Sequence, residues 1–415
     1  MTETELPAIL GGRPLFSDRL PLVRPTLGDV PGLARRIESI LASGLLTNGA
    51  TVRELEERVC ERLGVAHAVA VSSCTAGLML TYQALGVGQG TRVVLPSFTF
   101  AASAHAVVWT GAEVDFCEVT EERCSVDVDD LAARLDAPGA VGAISATHVY
   151  GHPAEVEAID ALAAERGIPV VYDAAHALGS SRAGLSVGGF GAAEVFSLSP
   201  TKVVFAGEGG MVTTNDPELA ALLRLGRDYG NPGDYDCRFA GLNARMSELH
   251  AAVALASLAD VDAHMARRES LVERFTGAIS DARGLRVVRP AVGDRSTWKD
   301  LTLVVDPVEF GIDAATLQHA LAAEQIDSRR YYHPPIHRQV AYQDRPSSAR
   351  HLPATDALSA AVLTPPLWSD LGDEDLDRVA AAVVRIHAHA EDILRVHVEP
   401  RAVTSTIATL RESEG

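Results

Sequence analysis

Short runs rich in β-branched residues alternate along this chain with Ala- and Leu-rich stretches of helical length. The strand candidates cover residues 66–72, 92–95, 113–116, 141–149, 168–172, 194–197 and 211–214. The helix candidates are a first helix between Asp29 and Gly44 and further helices over 75–85, 103–111, 156–166 and 246–259. This alternation predicts an α/β fold with a large mixed, mostly parallel sheet and helices on both faces. Ligands bind such sheets at the carboxyl ends of the strands.

The length of 415 residues predicts roughly two or three domains. After residue 260 the pattern changes to a strand candidate at 301–306 and helix candidates at 314–324 and 373–393. We therefore expect four parts, which are an N-terminal arm over residues 1–28, a large α/β domain over 29–260, a small C-terminal α+β domain over 261–397 and a flexible tail over 398–415.

Composition and charge narrow the classes of partner. The apolar runs are too short to cross a membrane, so no membrane partner is expected. A formal net charge of −19 argues against nucleic acid, whose phosphates need clustered Lys and Arg. A small phosphorylated ligand stays compatible with that charge, because backbone amides can hold it. The acidic start at Glu3 and Glu5, and five cysteines without a C-x-x-C pair, predict a cytoplasmic protein without a metal site.

An acid and a lysine lie at the ends of predicted strands. Asp173 ends an apolar strand pattern, and His176 follows three residues later. An anion keeps a pyridine nitrogen protonated, as pyridoxal 5′-phosphate (PLP) chemistry requires, although Asp173 could instead cap the next helix. Lys202 follows Pro200 and Thr201 in apolar surroundings. A neutral lysine there is the nucleophile of an imine-forming enzyme, and the alternative is a surface lysine on a loop.

Two further segments fit the binding of a phosphorylated ring. Residues 71–77 run from a strand through Ser73, Cys74 and Thr75 into a helix, whose first amides could hold a phosphate. An ordinary helix cap explains Thr75 equally well. Phe100 follows another strand end, where an aromatic ring can stack on a cofactor, although aromatic residues there are more often part of the core.

In this order and spacing the motifs resemble the DegT/DnrJ/EryC1/StrS sugar aminotransferases, which are fold-type-I PLP enzymes. The likeness covers residues 44 to about 390, and its segments read GLLTNG at 44–49, SCT at 73–75, PSFTF at 96–100, DAAH at 173–176, PTK at 200–202, GEGG at 207–210 and GLNARM at 241–246. Two departures are Cys74, where Gly or Ala is usual, and the segment 197–199. Lys202 is intact, whereas relatives with histidine in its place act as dehydratases.

The resemblance implies PLP as the cofactor, with Lys202 as its covalent partner, Asp173 on its ring nitrogen and His176 near its 3-hydroxyl. It also implies a ring contact from Phe100. The implied phosphate contacts are Thr75, Ala76 and Ser197, together with Asn243 or Arg245 from a second subunit, and Ser73 and Cys74 are also implied to bind the cofactor. A homodimer with shared active sites is therefore expected. Arg245 has no obvious acidic partner at helical spacing in its own chain except Glu248, which is in line with a role in the second subunit. The implied substrate contacts are Thr47, Asn48, Tyr331, Tyr332, His333 and His337.

The expected reaction is transfer of an amino group from glutamate to a nucleotide-linked keto-deoxysugar, which we take to be a 4-keto-6-deoxyhexose. Arg329 and Arg330 lie beside the expected sugar pocket and could balance the diphosphate. The alternative is that they face solvent or pair with Glu324 and Asp327. Two other functions stay open, namely amination of a keto-cyclitol such as scyllo-inosose, and a non-catalytic regulatory protein with the PLP fold.

Overall fold

The computed structural model describes residues 6–345 and 350–397, so the predicted tail over 398–415 lies outside the described residues. The strands are β1 His67–Val71, β2 Thr91–Pro96, β3 Glu113–Cys117, β4 Ala140–Thr147, β5 Val170–Asp173, β6 Ser181–Arg182, β7 Leu185–Ser186, β8 Ala193–Ser197, β9 Gly210–Thr214, β10 Leu285–Val287, β11 Leu303–Val305 and β12 Val362–Leu363. The helices are α1 Val30–Ser43, α2 Ala50–Leu63, α3 Cys74–Ala84, α4 Ala101–Trp109, α5 Val128–Leu135, α6 Val156–Ala164, α7 Pro217–Gly226, α8 Glu248–Ala259, α9 Val261–Ala278, α10 Pro307–Phe310, α11 Ala314–Ala323, α12 Pro353–Ala361, α13 Asp373–Ala388 and α14 Ala390–His397.

A seven-stranded sheet in the order β1-β9-β8-β5-β4-β2-β3 forms the centre of the molecule. β9 pairs antiparallel with both β1 and β8, and the remaining pairs are parallel. A parallel return from β8 would need a crossover, usually through a helix. The segment between β8 and β9 contains no helix, so the chain turns back antiparallel. The predicted mixed, mostly parallel sheet is confirmed.

Both faces of this sheet are buried. Val93, Leu95 and Val171 belong to the apolar cluster on one face, while their neighbours Val94 and Val170 belong to a cluster on the other. Strand residues alternate between faces, so strands covered on both sides need apolar residues at every position. This explains why the central strands stood out as continuous apolar runs in the sequence.

The residues after the large sheet form a second unit around the antiparallel sheet β10-β11-β12. The arm at the start of the chain packs on this unit. Phe16 and Leu20 share its apolar cluster, and the buried carboxylate of Glu324 accepts hydrogen bonds from the amides of Ala8 and Leu15 at 2.8 and 3.0 Å. Arg385 pairs with the same carboxylate. The division into four parts stays a prediction. Among the described residues, no helix has the length and apolar character needed to cross a membrane.

Candidate active site

A cavity of about 390 Å³ lies where strand ends of the large sheet meet the second unit. It brings together most of the predicted site residues, which are Ser73, Cys74, Thr75, Phe100, Asp173, His176, Ser197, Lys202, Tyr331 and Tyr332. A larger open groove of about 1220 Å³ runs between α1, α2 and α8, and surface ion pairs such as Arg36 with Glu54 line it. The smaller cavity therefore holds the candidate chemistry.

Asp173, the last residue of β5, points its carboxylate into the base of this cavity. Its side chain accepts hydrogen bonds from the Ser103 hydroxyl at 2.6 Å and the Ala175 amide at 3.1 Å, and the residue is buried. Burial raises the pKa of Asp173, while the Ser103 and Ala175 donors and the nearby Lys202 oppose that rise. A cationic ring nitrogen at this position would be a further favourable partner for the carboxylate.

Lys202 lies in the loop between β8 and β9, where its amide donates to the Ser199 carbonyl at 3.1 Å. Burial, followed by the positive charge of Lys299, lowers the pKa of Lys202 from 10.5 to about 8. About a tenth of the molecules therefore carry a neutral Lys202 amine at pH 7, and this amine is the reactive form for imine formation.

The turn before α3 has the properties of a phosphate site. Ser73 caps the helix, and its hydroxyl accepts from the Ala76 amide at 3.1 Å. The Ala76 amide thus has a partner within the chain, and Ala76 is not among the residues that line the cavity, so its phosphate contact stays a prediction. The Cys74 thiol points instead towards the Val195 carbonyl, at 3.7 Å.

Gly210 explains how the lysine loop comes so close to this turn. A Cβ atom at Gly210 would lie 2.6 Å from the amide nitrogen of Cys74, so only glycine permits the approach. The result is a compact polar cradle in which the amides at the start of α3 and the hydroxyls of Thr75 and Ser197 surround one end of the cavity. The cavity volume, the cradle, the buried acid and the lysine together fit PLP.

Aromatic residues form the opposite part of the lining. Phe100 lies at the start of α4 with 61% of its surface exposed, and its ring centre is 6.4 Å from that of Tyr332. The Tyr332 hydroxyl lies 3.5 Å from Nε2 of His176. Burial, then the charges of Lys202 and Lys299, lowers the pKa of His176 well below its usual value, so the imidazole is neutral.

Several predicted substrate contacts lie outside this cavity. Thr47 and Asn48 lie between α1 and α2, where they bind the Met246 carbonyl. His333 contacts the Ser359 hydroxyl at 3.1 Å and is exposed. The ring of His337 is buried, 2.7 Å from the hydroxyl of Ser97 and 3.2 Å from the carboxylate of Asp356, so its substrate contact stays a prediction. This imidazole supports the core behind the site.

Asn243 and Arg245 also lie outside the cavity of their own chain. Arg245 pairs with Asp228 at 2.5 Å and lies over the ring of Tyr229. Asp228 was not recognised from the sequence, because it is 17 residues away and reaches Arg245 through strand-like pairing of Asp228 with Asn243. Glu248, the acid expected near Arg245, instead accepts hydrogen bonds from three amides around the start of α2.

The expected role of Arg329 and Arg330 in the sugar pocket is not supported by their positions. Arg329 is exposed and donates to the Ser328 carbonyl, while Arg330 donates to the Ala360 carbonyl at 2.8 Å. The acids considered as their partners are engaged elsewhere, since Glu324 pairs with Arg385 and Asp327 pairs with Arg19.

Besides Lys202, the cavity is lined by a second lysine, Lys299. Neither Lys299 nor its neighbour Asp300 was identified as a site residue from the sequence. Lys299 Nζ donates to Asp300 Oδ1 at 2.5 Å, and both residues are buried. A compositional signal could have revealed this pair. Of the 36 Lys and Arg residues, 34 are Arg, and the only two lysines are Lys202 and Lys299. Where this chain needs a generic positive charge it uses Arg, and both lysines line one cavity.

Comparison with known proteins identifies the family. The chain matches the model of the DegT/DnrJ/EryC1/StrS aminotransferase family over residues 32–384. It belongs to this family. A solved structure of DesI in the presence of its TDP-sugar product is 33% identical, with a TM-score of 0.89 over 95% of this chain and 100% of DesI. A family member from Brucella abortus is 30% identical, with a TM-score of 0.79 over 86% of this chain and 95% of that one.

DesV from S. venezuelae, solved in complex with a ketimine intermediate, is 29% identical, with a TM-score of 0.82 over 89% of this chain and 99% of DesV. The protein is thus a PLP-dependent sugar aminotransferase with the fold-type-I architecture. The predicted family, enzyme class and cofactor are confirmed, and the alternative of a non-catalytic protein is set aside.

Proposed function

We propose that this aminotransferase transfers the amino group of glutamate to a nucleotide-linked keto-deoxysugar, specifically a 4-keto-6-deoxyhexose. The observation that carries the proposal is the similarity to DesI, which extends over the whole length of DesI and whose structure was obtained in the presence of its TDP-sugar product. In the balanced reaction glutamate becomes 2-oxoglutarate, and the carbonyl oxygen of the sugar is replaced by the amino group.

Each polar group at the base of the cavity has a task in this reaction. When bound, PLP supplies an electrophilic carbon and a ring that withdraws electrons. The Lys202 amine would hold the cofactor covalently and, as a free amine, would move protons at the reacting carbon. The Asp173 carboxylate, oriented by the Ser103 hydroxyl, holds the proton on the ring nitrogen. The hydroxyls of Thr75 and Ser197, which line the same cavity, would bind the phosphate.

The acceptor would enter past the aromatic part of the lining. Tyr331 and Tyr332 offer flat apolar surfaces with polar tips, a combination suited to a sugar ring. Lys299 provides a positive charge on the same side, 5.7 Å from the centre of the Tyr331 ring. These residues replace Arg329 and Arg330 as the proposed recognition elements.

A steady-state comparison tests the proposal. The holoenzyme is supplied with glutamate and either TDP-4-keto-6-deoxyglucose or scyllo-inosose, and formation of the amino product is followed. We expect the higher kcat/KM for the nucleotide sugar, and no product from Lys202→Ala. A higher kcat/KM for scyllo-inosose would refute the sugar assignment and favour the cyclitol alternative.

We also propose a homodimer in which Asn243 and Arg245 reach the phosphate site of the partner. The support is a set of exposed apolar side chains, with Leu45 70%, Leu46 45% and Phe100 61% exposed in the single chain. When the inactive variants Lys202→Ala and Arg245→Ala are mixed and their subunits exchange, about half of the dimers contain one subunit of each variant. Each such dimer has one site with both native residues, so about a quarter of all sites regain activity. A mixture that stays as inactive as its components, or an active monomer in sedimentation, would contradict shared sites.

A cytoplasmic location completes the proposal. The five cysteines are unpaired, and Cys74, Cys117 and Cys124 are buried as thiols, which suits a reducing compartment. Cell fractionation tests this, and recovery of the protein outside the cytoplasmic fraction would contradict it.

A further inference from the structure

The segment 296–300 holds Lys299 and Asp300 rigidly in the cavity wall. The Lys299 amide donates to the Tyr150 carbonyl at 3.0 Å, and the Thr297 hydroxyl donates to the His176 carbonyl at 2.6 Å. The buried guanidinium of Arg268 donates to the carbonyls of Trp298 and Lys299 at 3.1 and 3.3 Å. A segment tied at so many points positions its side chains for contact with a ligand.

Asp300 uses only one of its two carboxylate oxygens. Oδ1 accepts from Lys299, and the residue is 4% exposed. Within the described part of the chain, Oδ2 of Asp300 and Nδ1 of His176 have no hydrogen-bond partner, although both are buried. The two atoms are 4.0 Å apart, which is too long for a direct hydrogen bond. Buried polar atoms without a partner are rare and call for an explanation.

The geometry of this gap fits one oxygen atom. For an oxygen about 2.8 Å from both atoms, the angle between Nδ1, the oxygen and Oδ2 would be about 90°, which is compatible with the directions in which a hydroxyl group donates and accepts hydrogen bonds. The Tyr332 hydroxyl lies 3.5 Å from Nε2 of His176, and this contact leaves open which ring nitrogen carries the proton. Because a carboxylate only accepts, the bridging oxygen must donate its proton to Oδ2 of Asp300 and can then only accept from a protonated Nδ1 of His176. A hydroxyl group does both.

We infer that Asp300, with His176, is a specificity-determining subsite that binds a hydroxyl group of the acceptor on the carbon next to the reacting carbonyl. Lys202 and Asp300 line the same cavity, so we place the acceptor carbonyl at Lys202 and its neighbouring carbon at Asp300. Lys299 keeps the carboxylate turned so that Oδ2 faces this position. The enzyme therefore selects acceptors that carry this hydroxyl and disfavours those that lack it.

The test compares acceptor pairs that differ only in that hydroxyl. One pair is TDP-4-keto-6-deoxyglucose and its congener without the C3 hydroxyl. The other is scyllo-inosose and its congener without one hydroxyl next to the carbonyl. kcat/KM is measured with saturating glutamate for the wild-type holoenzyme, for Asp300→Asn and for the control Asp306→Asn. Asp306 is a matched carboxylate that caps α10 in the same unit.

In the wild type we expect the hydroxylated member to be preferred by about 10- to 100-fold, the range for a hydrogen bond to a charged group. In Asp300→Asn the amide oxygen faces the Lys299 ammonium and its NH₂ replaces the acceptor. The preference should then fall to within about threefold, while Asp306→Asn keeps it. In the control Asp306→Asn the half-reaction with glutamate alone, followed by absorbance, should change little.

Several results would overturn the inference. A wild type that uses both members of a pair within about threefold has no such subsite, whether or not Asp300→Asn folds. An unchanged preference in Asp300→Asn, with slower reaction of glutamate or weaker PLP binding, would assign the position to the donor or to the cofactor. The inference rests on the proposed function, in which the acceptor is a nucleotide-linked sugar. A preference for the hydroxylated member in the cyclitol pair alone would support the hydroxyl subsite and refute the assignment of a sugar acceptor.

Discussion

Replacing Lys299 by Met should raise the pKa of Lys202. Burial and the Lys299 charge lower the pKa of Lys202 from 10.5 to about 8, and the Asp300 charge opposes them. At pH 7.5 an amine with a pKa of about 8 is neutral in about a quarter of the molecules, against about one in a thousand for a pKa of 10.5. The cavity therefore increases the population of the reactive amine by about 200-fold.

Lys299→Met removes a cation and leaves the Asp300 carboxylate without its partner, and both changes favour the ammonium form of Lys202. Because Lys202 stays buried, its pKa should rise above 8 without reaching 10.5. The amine is reactive above its pKa and lost as an ammonium below it. PLP should therefore bind covalently to the variant apoenzyme several-fold more slowly at pH 7.5, and the difference should vanish at high pH. Lys299→Arg keeps the charge and should stay near the wild type.

The two-lysine composition makes a direct assay possible. Reductive methylation of the apoenzyme with ¹³C-formaldehyde labels Lys202, Lys299 and the terminal amine, and the resonance lost in Lys299→Met assigns the other lysine. A pH titration of the Lys202 resonance then gives its pKa. A wild-type midpoint near 10.5, or an unchanged midpoint in Lys299→Met, would refute the reasoning.

Three further variants test the site and the packing of the arm. Lys202→Ala should abolish the borohydride-trapped PLP adduct in mass spectrometry, and an adduct elsewhere in the chain would contradict the assignment. Asp173→Asn should lower kcat by about 100-fold or more with little change in Tm, because the ring nitrogen loses its anion, and a near-normal kcat would move this role to another carboxylate. Glu324→Ala should destabilise the fold by about 3 kcal/mol in urea unfolding, because it removes the buried carboxylate that binds Arg385 and two amides, and a loss below about 1 kcal/mol would contradict this reasoning.

The parts that were predictable from the sequence are local. The strand expected at 168–172 is β5, Val170–Asp173, and its last residue is the predicted acid. A buried strand followed by a polar residue can be recognised from a short stretch of sequence. The carboxyl ends of β1, β2, β5 and β8 could therefore be predicted. α2 went unrecognised although Val52, Leu55 and Val59 are spaced along one helical face, because many charged residues surround them.

The parts that were not predictable depend on contacts between distant segments. Ser103 supports Asp173 from 70 positions away, and its place on α4 gives no local sign of this role. His337 has the composition of a pocket residue, but its ring is fixed in the core by Ser97, 240 positions away. Asp300 enters the site through the tertiary course of the segment 296–300. Such contacts follow from how units pack, and sequence patterns over ten or twenty residues do not contain them.

The arm that packs on the second unit affects the order in which the chain can fold during synthesis. Ala8 and Leu15 bind Glu324, which lies 316 and 309 positions later. At a ribosome speed of about 5 to 20 residues per second, their partner emerges roughly 15 to 60 seconds after them. During that interval Phe16, which is 6% exposed in the folded protein, has no surface to cover it. This early segment can therefore reach its native contacts only after the second unit has been synthesised, and its apolar side chains stay exposed to solvent until then.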